Sequence, residues 1–253
     1  MRDRSRQIGF SQRIRLEWLE RTAYLVLAGN DNESINTALA EFLQDKLSIG
    51  GKAQRGNREK AITILMKIWS NVPSELTSLR DSGLSLFKSL PRDVHIAIHW
   101  GMAMAVYPFW GAVASSTGRL LRLQGTASAS QVQRRLREKY GERETVSRAA
   151  RRVLRAFVDW DVLEETDEKG IYRSRRPRKI EDPRLVSWLI EACLVASTDL
   201  SGTLTSLIGS PALFPFELRS LAANELGRND RLEVVNHGLG GELVVLRGQA
   251  TRK

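Results

Sequence analysis

Two neighbouring segments, QVQRRLREKYG at residues 131–141 and ETVSRAARRVLRAFVDW at residues 144–160, are dense in arginine. Three glutamates are the only acidic residues between Arg134 and Arg155. Each segment has the length of a short helix, and Gly141 interrupts the helical pattern between them. Two consecutive short helices with a basic surface are typical of a helix-turn-helix, and we expect this one to face a phosphate backbone.

Hydrophobic residues in both segments recur at the three- and four-residue spacing of a buried helix face. In the first segment they are Val132, Leu136 and Tyr140. In the second segment they are Val146, Ala150, Val153, Phe157 and Val158. A helix that buries this second set exposes the opposite face, where small hydroxyls and guanidinium groups suit groove edges and phosphate oxygens. The DNA contacts predicted on that face are Thr145, Ser147, Arg148, Arg151, Arg152 and Arg155.

A β-hairpin is predicted directly after the second helix. Its strands cover residues 161–166 and 171–174, and its turn is DEKG at residues 167–170. Two helices and a hairpin in this order are typical of a winged helix, whose wing contacts a neighbouring backbone or minor groove. The wing contacts are predicted to be Arg173, Arg175 and Arg176.

The first helix is predicted to contact the DNA backbone through Arg134, Arg135 and Arg137, and Arg143 in the turn completes the basic set. The alternative is that these arginines form only a solvated face, as most charge runs do. The excess of positive charge favours a role in binding an anionic partner. The chain has 39 Lys and Arg against 29 Asp and Glu, a net charge of +10, and the excess is concentrated in residues 119–179. A localised positive field attracts a polyanion, so double-stranded DNA is the expected partner rather than an anionic membrane.

The fold is predicted to be mainly α, in three parts: a helical domain at residues 1–124, the winged helix-turn-helix at 125–180 and a C-terminal module at 181–253. Helical periodicity in the first part covers residues 12–28, 33–47, 58–69 and 73–90. The C-terminal module is predicted to contain helices at 184–196 and 216–226 and a hairpin of strands 232–235 and 243–246. We expect this module to be structural or partner-binding, with a second winged-helix-like unit as the alternative.

Residues 94–116 form an apolar run long enough to span a bilayer. His95 and His99 lie within the run and Pro108 interrupts it, which favours two buried helices broken at Tyr107 and Pro108. The charged start of the chain has no apolar segment of the secretory type after it, and we expect a cytoplasmic protein without a membrane segment. The single cysteine, Cys193, fits a small buried residue in a reducing compartment.

The histidines and the cysteine form no pattern typical of catalysis or of a metal site. The spacing of His95 and His99 could place two imidazoles on one metal, but no HExxH pattern accompanies them, so buried histidines at a helix interface are the favoured interpretation. Cys193 has no neighbouring histidine in its helix to activate the thiol. The sequence therefore predicts a non-enzymatic protein with no catalytic residues, no metal and no cofactor.

The layout over residues 12–175 resembles a known family. A helical region, the block HWGMAMAVYPFWGAVASSTGRLLRLQG at residues 99–125 and the basic helix pair are similar to the small BrxA-type proteins of bacterial BREX phage-defence clusters. The resemblance implies a cytoplasmic, non-enzymatic binder of double-stranded DNA that works beside methyltransferase and ATPase partners. Residues from Pro183 onward lie outside the resemblance.

Other functions fit the same arginine-rich surface. The protein could be a transcriptional regulator, or an RNA-binding or protein-interaction adaptor whose arginines meet structured RNA or an acidic partner. Sequence preference and the choice between DNA and RNA depend on docking geometry, which the residue types alone do not define.

Overall fold

The computed structural model describes residues 7–47, 56–197, 200–237 and 241–247. The chain is mainly helical, as predicted. The first six helices are α1 (Leu16–Leu27), α2 (Asn32–Phe42), α3 (Asn57–Trp69), α4 (Thr77–Ser89), α5 (His95–Val106) and α6 (Pro108–Gln124). The four predicted N-terminal helices are all present, with α1 four residues shorter at its start and α2 five residues shorter at its end than predicted.

The apolar run at residues 94–116 is two helices, which confirms the predicted break. α5 and α6 meet at an angle of 117° between Tyr107 and Pro108. Pro108 occupies the first position of α6, where the missing N–H costs no hydrogen bond. Every residue of α5 is buried. Among the described residues no single helix is long and apolar enough to cross a membrane, although this bent pair together has the necessary length and composition.

The basic segments form a compact group of helices and strands after α6. In chain order these are β1 (Thr126–Ser128), α7 (Ala129–Tyr140), α8 (Glu144–Asp159), β2 (Leu163–Glu165) and β3 (Ile171–Ser174). The strands form an antiparallel sheet in the order β1-β3-β2, with Ala127 opposite Tyr172 and Glu164 opposite Arg173. Both predicted helices and the predicted hairpin are confirmed, and β1 is an addition to the prediction.

One predicted element of the C-terminal region is contradicted by the structure, and several short elements are additions to the prediction. Its elements are β4 (Arg178–Ile180), α9 (Pro183–Ala196), β5 (Ser201–Thr203), α10 (Leu204–Ile208), β6 (Phe216–Leu218), α11 (Ala223–Leu226), β7 (Leu232–His237) and β8 (Gly241–Leu246). The predicted helix over residues 216–226 is wrong, because β6 is an extended strand that pairs in parallel with β4 and only α11 is helical. The cause is a long-range partner: the backbone N–H of Arg178 donates to the carbonyl of Pro215, and the Phe216 ring packs against Trp100.

The predicted C-terminal hairpin is confirmed as β7 and β8, whose connecting residues 238–240 lie outside the described residues. β5 joins this hairpin to give a second antiparallel sheet in the order β5-β8-β7. In both three-stranded sheets the last strand in the chain lies in the middle. β8 lies between β5 and β7, and β3 lies between β1 and β2.

The hydrophobic core is one continuous cluster that runs through all three predicted parts of the chain. It contains all six tryptophans, each at most 2% exposed. Trp188 of α9 lies against Gly83 of α4 and Gly101 of α5, where a Cβ atom would overlap the indole. The boundaries at residues 124 and 180 stay a prediction, because the packing joins the parts they separate.

Candidate nucleic-acid interface

The orientation of α8 is set by its apolar face. Val146, Ala150, Val153 and Phe157 are fully buried, as predicted, and Val158 is half-buried at the edge. Successive residues of an α-helix are separated by about 100° around its axis, so Arg148, Arg151, Arg152 and Arg155 share an arc of roughly 100° opposite the buried stripe. The sequence therefore places four guanidinium groups on one exposed face of α8.

The guanidinium groups on this face crowd one another. Arg148, Arg151 and Arg155 are exposed, and Arg152 is half-buried. Burial lowers the pKa of Arg152, and the positive charges of Arg148 and Arg151 lower it further. Mutual repulsion of this kind is relieved when an anion binds between the groups, which gives the face an intrinsic affinity for a polyanion.

Several predicted contact residues are engaged by carboxylates of the protein itself. Arg155 lies 3.2 Å from Glu165, and Arg148 lies 3.5 Å from Glu144. Arg173 pairs with Glu164. Arg175 lies 2.9 Å from the same carboxylate and 3.2 Å from Asp161. The hairpin and the C-terminal end of α8 are therefore largely neutralised within the molecule.

The centre of the α8 face is different. Among the described residues, no carboxylate lies within ion-pairing distance of Arg151 or Arg152. The same holds for Arg176, which is exposed after β3. Because these three guanidinium groups have no internal counter-ion, they are the ones best able to bind an external anion.

The turn between α7 and α8 supplies polar groups beside the arginines. Thr145 is exposed and Ser147 is half-buried in the first turn of α8. Arg143 donates to the carbonyl oxygen of Tyr140 at 3.0 Å, which satisfies one of the last carbonyls of α7 while Arg143 stays exposed. These residues lie at the N-terminal end of α8, where the helix dipole favours negative charge.

The arginines of α7 do not share one face. Arg135 and Arg137 are two positions apart, about 200° around the helix axis, so they point to nearly opposite sides. Arg134 and Arg135 line a groove of about 510 Å³ between α6 and α7, together with Arg119 of α6. Arg137 is half-buried and lies outside that groove. Sequence reasoning missed Arg119, because only the packing of α6 against α7 brings it beside Arg134 and Arg135.

A second polar cluster lies in the core, far from α8 in sequence. His95 and His99 are buried and bind the same carboxylate: Glu20 lies 3.1 Å from Nδ1 of His95 and 2.9 Å from Nε2 of His99. The other ring nitrogen of His99 accepts a hydrogen bond from the indole N–H of Trp69. The favoured interpretation of the two histidines as buried interface residues is confirmed.

The cluster shifts two ionisation equilibria. Burial would raise the pKa of Glu20, but hydrogen bonds from His99 and His95 outweigh it and lower the pKa to about 2. Burial lowers the pKa of His99, against the opposing effect of the Glu20 carboxylate. His99 is therefore held neutral next to an ionised Glu20 at neutral pH.

Cys193 is buried, as predicted. Burial raises the pKa of its thiol to about 12, with a hydrogen bond to Ser210 acting in the opposite direction. A thiol of this kind is protonated and inaccessible at neutral pH, so it packs as a small hydrophobic side chain.

Comparison with known proteins gives no relative on which to base a function. No model of a protein family matches the chain, and neither a curated protein nor a solved structure does so. The geometry and charge of the described residues are therefore the basis for a function.

Proposed function

We propose that the protein is a non-enzymatic binder of double-stranded DNA that places α8 in the major groove. The observation that carries the proposal is the pair Arg151 and Arg152, which lie on the exposed face of α8 and have no carboxylate partner among the described residues. An α-helix fits the major groove, and guanidinium groups there bind guanine edges or flanking phosphates. Thr145 and Ser147 add hydroxyl donors at the end of α8 that enters first.

The element order supports a winged helix-turn-helix for residues 108–174. In chain order these residues form a helix (α6), a strand (β1), two helices (α7 and α8) and a hairpin (β2 and β3). β1 pairs with β3, on the edge opposite β2. This arrangement is typical of a winged helix-turn-helix. In this assignment α8 is the recognition helix and the β2-β3 hairpin is the wing. The ion pairs of Arg173 and Arg175 modify the original prediction, because a neutralised wing contributes less to phosphate binding than Arg176 or α8.

The second sheet supports a winged-helix-like unit in the C-terminal region, but not a second DNA-binding surface. Its sheet order is the same, yet α11 has only four residues and cannot fill a groove. α9 is buried against α4 and α5 over most of its length. We therefore assign this region a structural or partner-binding role.

The resemblance of residues 12–175 to BrxA-type proteins supports a place in a bacterial phage-defence system, beside a methyltransferase and an ATPase in the cytoplasm. Deletion of the gene should then lower the host's resistance to phage, and a variant deficient in DNA binding should not restore it. An unchanged efficiency of plating in the deletion strain would remove the defence role while leaving DNA binding untouched. A local transcriptional regulator would be the alternative in that case.

A second candidate is an adaptor that binds structured RNA or an acidic protein. The observation that favours it over a winged helix on DNA is the pairing of Arg155, Arg173 and Arg175 with internal carboxylates. A wing on DNA normally needs free cations, whereas an adaptor could bind its partner through the α8 face alone. The two candidates differ in nucleic-acid form, because the deep and narrow major groove of duplex RNA excludes a helix such as α8.

The deciding experiment is a salt titration of binding to matched DNA and RNA duplexes by fluorescence anisotropy. Wild type should prefer DNA and lose affinity steeply as KCl rises. The Arg151→Ala, Arg152→Ala variant should bind DNA about 100-fold more weakly, because it loses two desolvated charged contacts. Its circular dichroism and melting temperature should be unchanged, because both side chains lie outside the core.

The matched control is Arg21→Ala, Lys88→Ala, which removes the same charge from the exposed surfaces of α1 and α4. It should bind DNA within about threefold of wild type, since its lost charges act only through a screened long-range field. If both double variants bind alike, α8 is not the binding surface. Equal affinity of wild type for DNA and RNA duplexes would favour the adaptor.

A further inference from the structure

A second cationic surface lies on the side of α7 that faces α6. This α6–α7 groove has a volume of about 510 Å³. α6 contributes Arg119 and the hydroxyls of Ser115 and Ser116. The cations and the single acid that α7 contributes are Arg134, Arg135, Lys139 and Glu138.

The charges in the α6–α7 groove are unbalanced. Among the described residues, none of its four cations forms an ion pair, although the arginines of the nearby hairpin do. Arg119 and Arg134 are exposed, and Arg135 is half-buried in the wall of the groove. Four cations against one carboxylate in a concave surface create a focused positive potential. Such a potential is uncompensated until an anion enters the groove.

The chemistry of the lining selects a phosphate. Guanidinium groups bind phosphate oxygens through paired N–H donors, and serine hydroxyls can donate to the same oxygens. Arg119 and Arg135 approach the groove from two different helices, so each can hold one phosphate of a backbone that passes along it. A chain of phosphates fits four cations better than a single ion does.

The position of the groove relates it to the α8 face. α7 packs against both α6 and α8, and packed helices lie about 8–10 Å apart. The groove is thus roughly one to two helix widths from the α8 arginines. Along B-form DNA that distance is less than one helical turn of about 34 Å. The groove is therefore close enough to α8 to be reached by the backbone of the same duplex.

We propose that the α6–α7 groove is a second phosphate-binding site, which holds the backbone of the same DNA duplex beyond the segment contacted by α8. The inference rests on the proposed function, and it extends that function by assigning a longer footprint with two separate contact surfaces. Arg119, which lies outside the basic helix pair, becomes a DNA-contact residue. Binding should therefore strengthen with duplex length until both surfaces are occupied.

The test compares labelled duplexes of about 10 and about 25 base pairs, which span roughly one and two and a half helical turns. The variant is Arg119→Ala, Arg135→Ala, and the matched control is again Arg21→Ala, Lys88→Ala. Both groove residues lack hydrogen bonds and ion pairs among the described residues, so their truncation should leave the melting temperature unchanged. Dissociation constants are measured by fluorescence anisotropy over a series of KCl concentrations.

The groove variant should bind the longer duplex about tenfold more weakly than wild type. It should lose clearly less on the shorter duplex, which extends only about half a helical turn to either side of α8 and reaches only part of the groove. Its log–log salt slope on the longer duplex should fall in magnitude by about 1.8, which is 0.9 for each of two phosphate contacts. Unchanged binding to both lengths would overturn the second site, and so would an equal loss on both. The proposed function fails separately, if Arg151→Ala, Arg152→Ala binds either duplex as wild type does.

Discussion

The indole of Trp100 stacks on the ring of Phe157, with centroids 4.7 Å apart and ring planes inclined by 28°. Trp100 lies in the buried helix α5 and Phe157 in α8, so this contact fixes α8 against the centre of the core. The indole N–H of Trp100 also donates to the carbonyl of Ala212 in the C-terminal region, at 2.9 Å. One side chain therefore joins three parts of the chain and sets the direction in which the α8 arginines point.

Phe157→Ala should destabilise the protein by about 3–5 kcal/mol, because a fully buried ring is removed and the cavity between Trp100, Trp110 and Phe214 cannot collapse completely. The free energy of unfolding is measured by urea titration. Val158→Ala, at the half-buried neighbouring position, is the control and should cost about 1 kcal/mol or less. Equal losses for the two variants would contradict the stacking of α8 on α5.

Glu164→Gln should tighten binding to duplex DNA by about three- to tenfold. The Glu164 carboxylate pairs with both Arg173 and Arg175, so its neutralisation frees Arg173 for phosphates and leaves Arg175 with only the exposed Asp161 as a partner. Anisotropy titrations should also show a steeper dependence on salt concentration than in wild type.

The control for Glu164→Gln is Glu168→Gln. This substitution removes an equal charge from the exposed hairpin turn without breaking an ion pair among the described residues. It should change the affinity less than Glu164→Gln does. If the two substitutions have the same effect, the gain comes from net charge alone and the wing does not contact DNA.

Gly118→Ala should destabilise the protein by about 3 kcal/mol. Gly118 faces the C-terminal region, and a Cβ atom there would overlap the carbonyl oxygen of Pro211, a backbone atom that cannot rotate away. In a helix without such a neighbour the same substitution would stabilise the protein by about 1 kcal/mol. The sign of the change in unfolding free energy therefore shows whether Pro211 lies against Gly118. Ser116→Ala in the same helix should be nearly neutral. A stabilised Gly118→Ala variant in thermal or urea unfolding would contradict the docking of residues 211–213 on α6.

The free energy of unfolding should fall as the pH drops below about 6.5. The pKa of His99 is lowered in the folded state, so the unfolded chain binds more protons and folding loses stability as the pH falls. The loss from this one group has an upper limit of about 1.4 kcal/mol per pH unit. Glu20 adds a further loss below its ordinary pKa of 4.5, as the pH approaches its folded value of about 2.

Urea titrations between about pH 7 and about pH 5 avoid the carboxylates of ordinary pKa, which stay ionised there. The pKa of the buried Glu191 is raised and acts in the opposite direction, so the contribution of His99 is assigned by comparison with a variant that lacks it. His99→Gln should lower stability at neutral pH, since it disturbs the contacts with Glu20 and Trp69, and should flatten the pH dependence. A variant whose stability falls with pH in parallel with wild type would show that His99 is not the titrating group.

The local elements of the basic region follow from residue spacing. The apolar stripe of α8, the glycine before it and the turn residues of the hairpin specify those elements within a few residues of the chain, so periodicity predicts them. β1, β4 and β6 have no comparable local pattern. Each has three residues and exists because a distant strand supplies its hydrogen bonds, and this is why residues 216–218 were wrongly predicted to be helical.

The candidate interface also has some features that the sequence determines and others that only the tertiary structure determines. The sequence determined that Arg148, Arg151, Arg152 and Arg155 share one face of a helix, because helical geometry depends only on their spacing. It could not determine which of them remain free, since Glu165 reaches Arg155 only through the folding of the hairpin. Arg119 joined Arg134 and Arg135 only through the packing of α6 on α7. Spacing along the chain defines a face, but counter-ions and grooves depend on distances between segments, which only the tertiary structure sets.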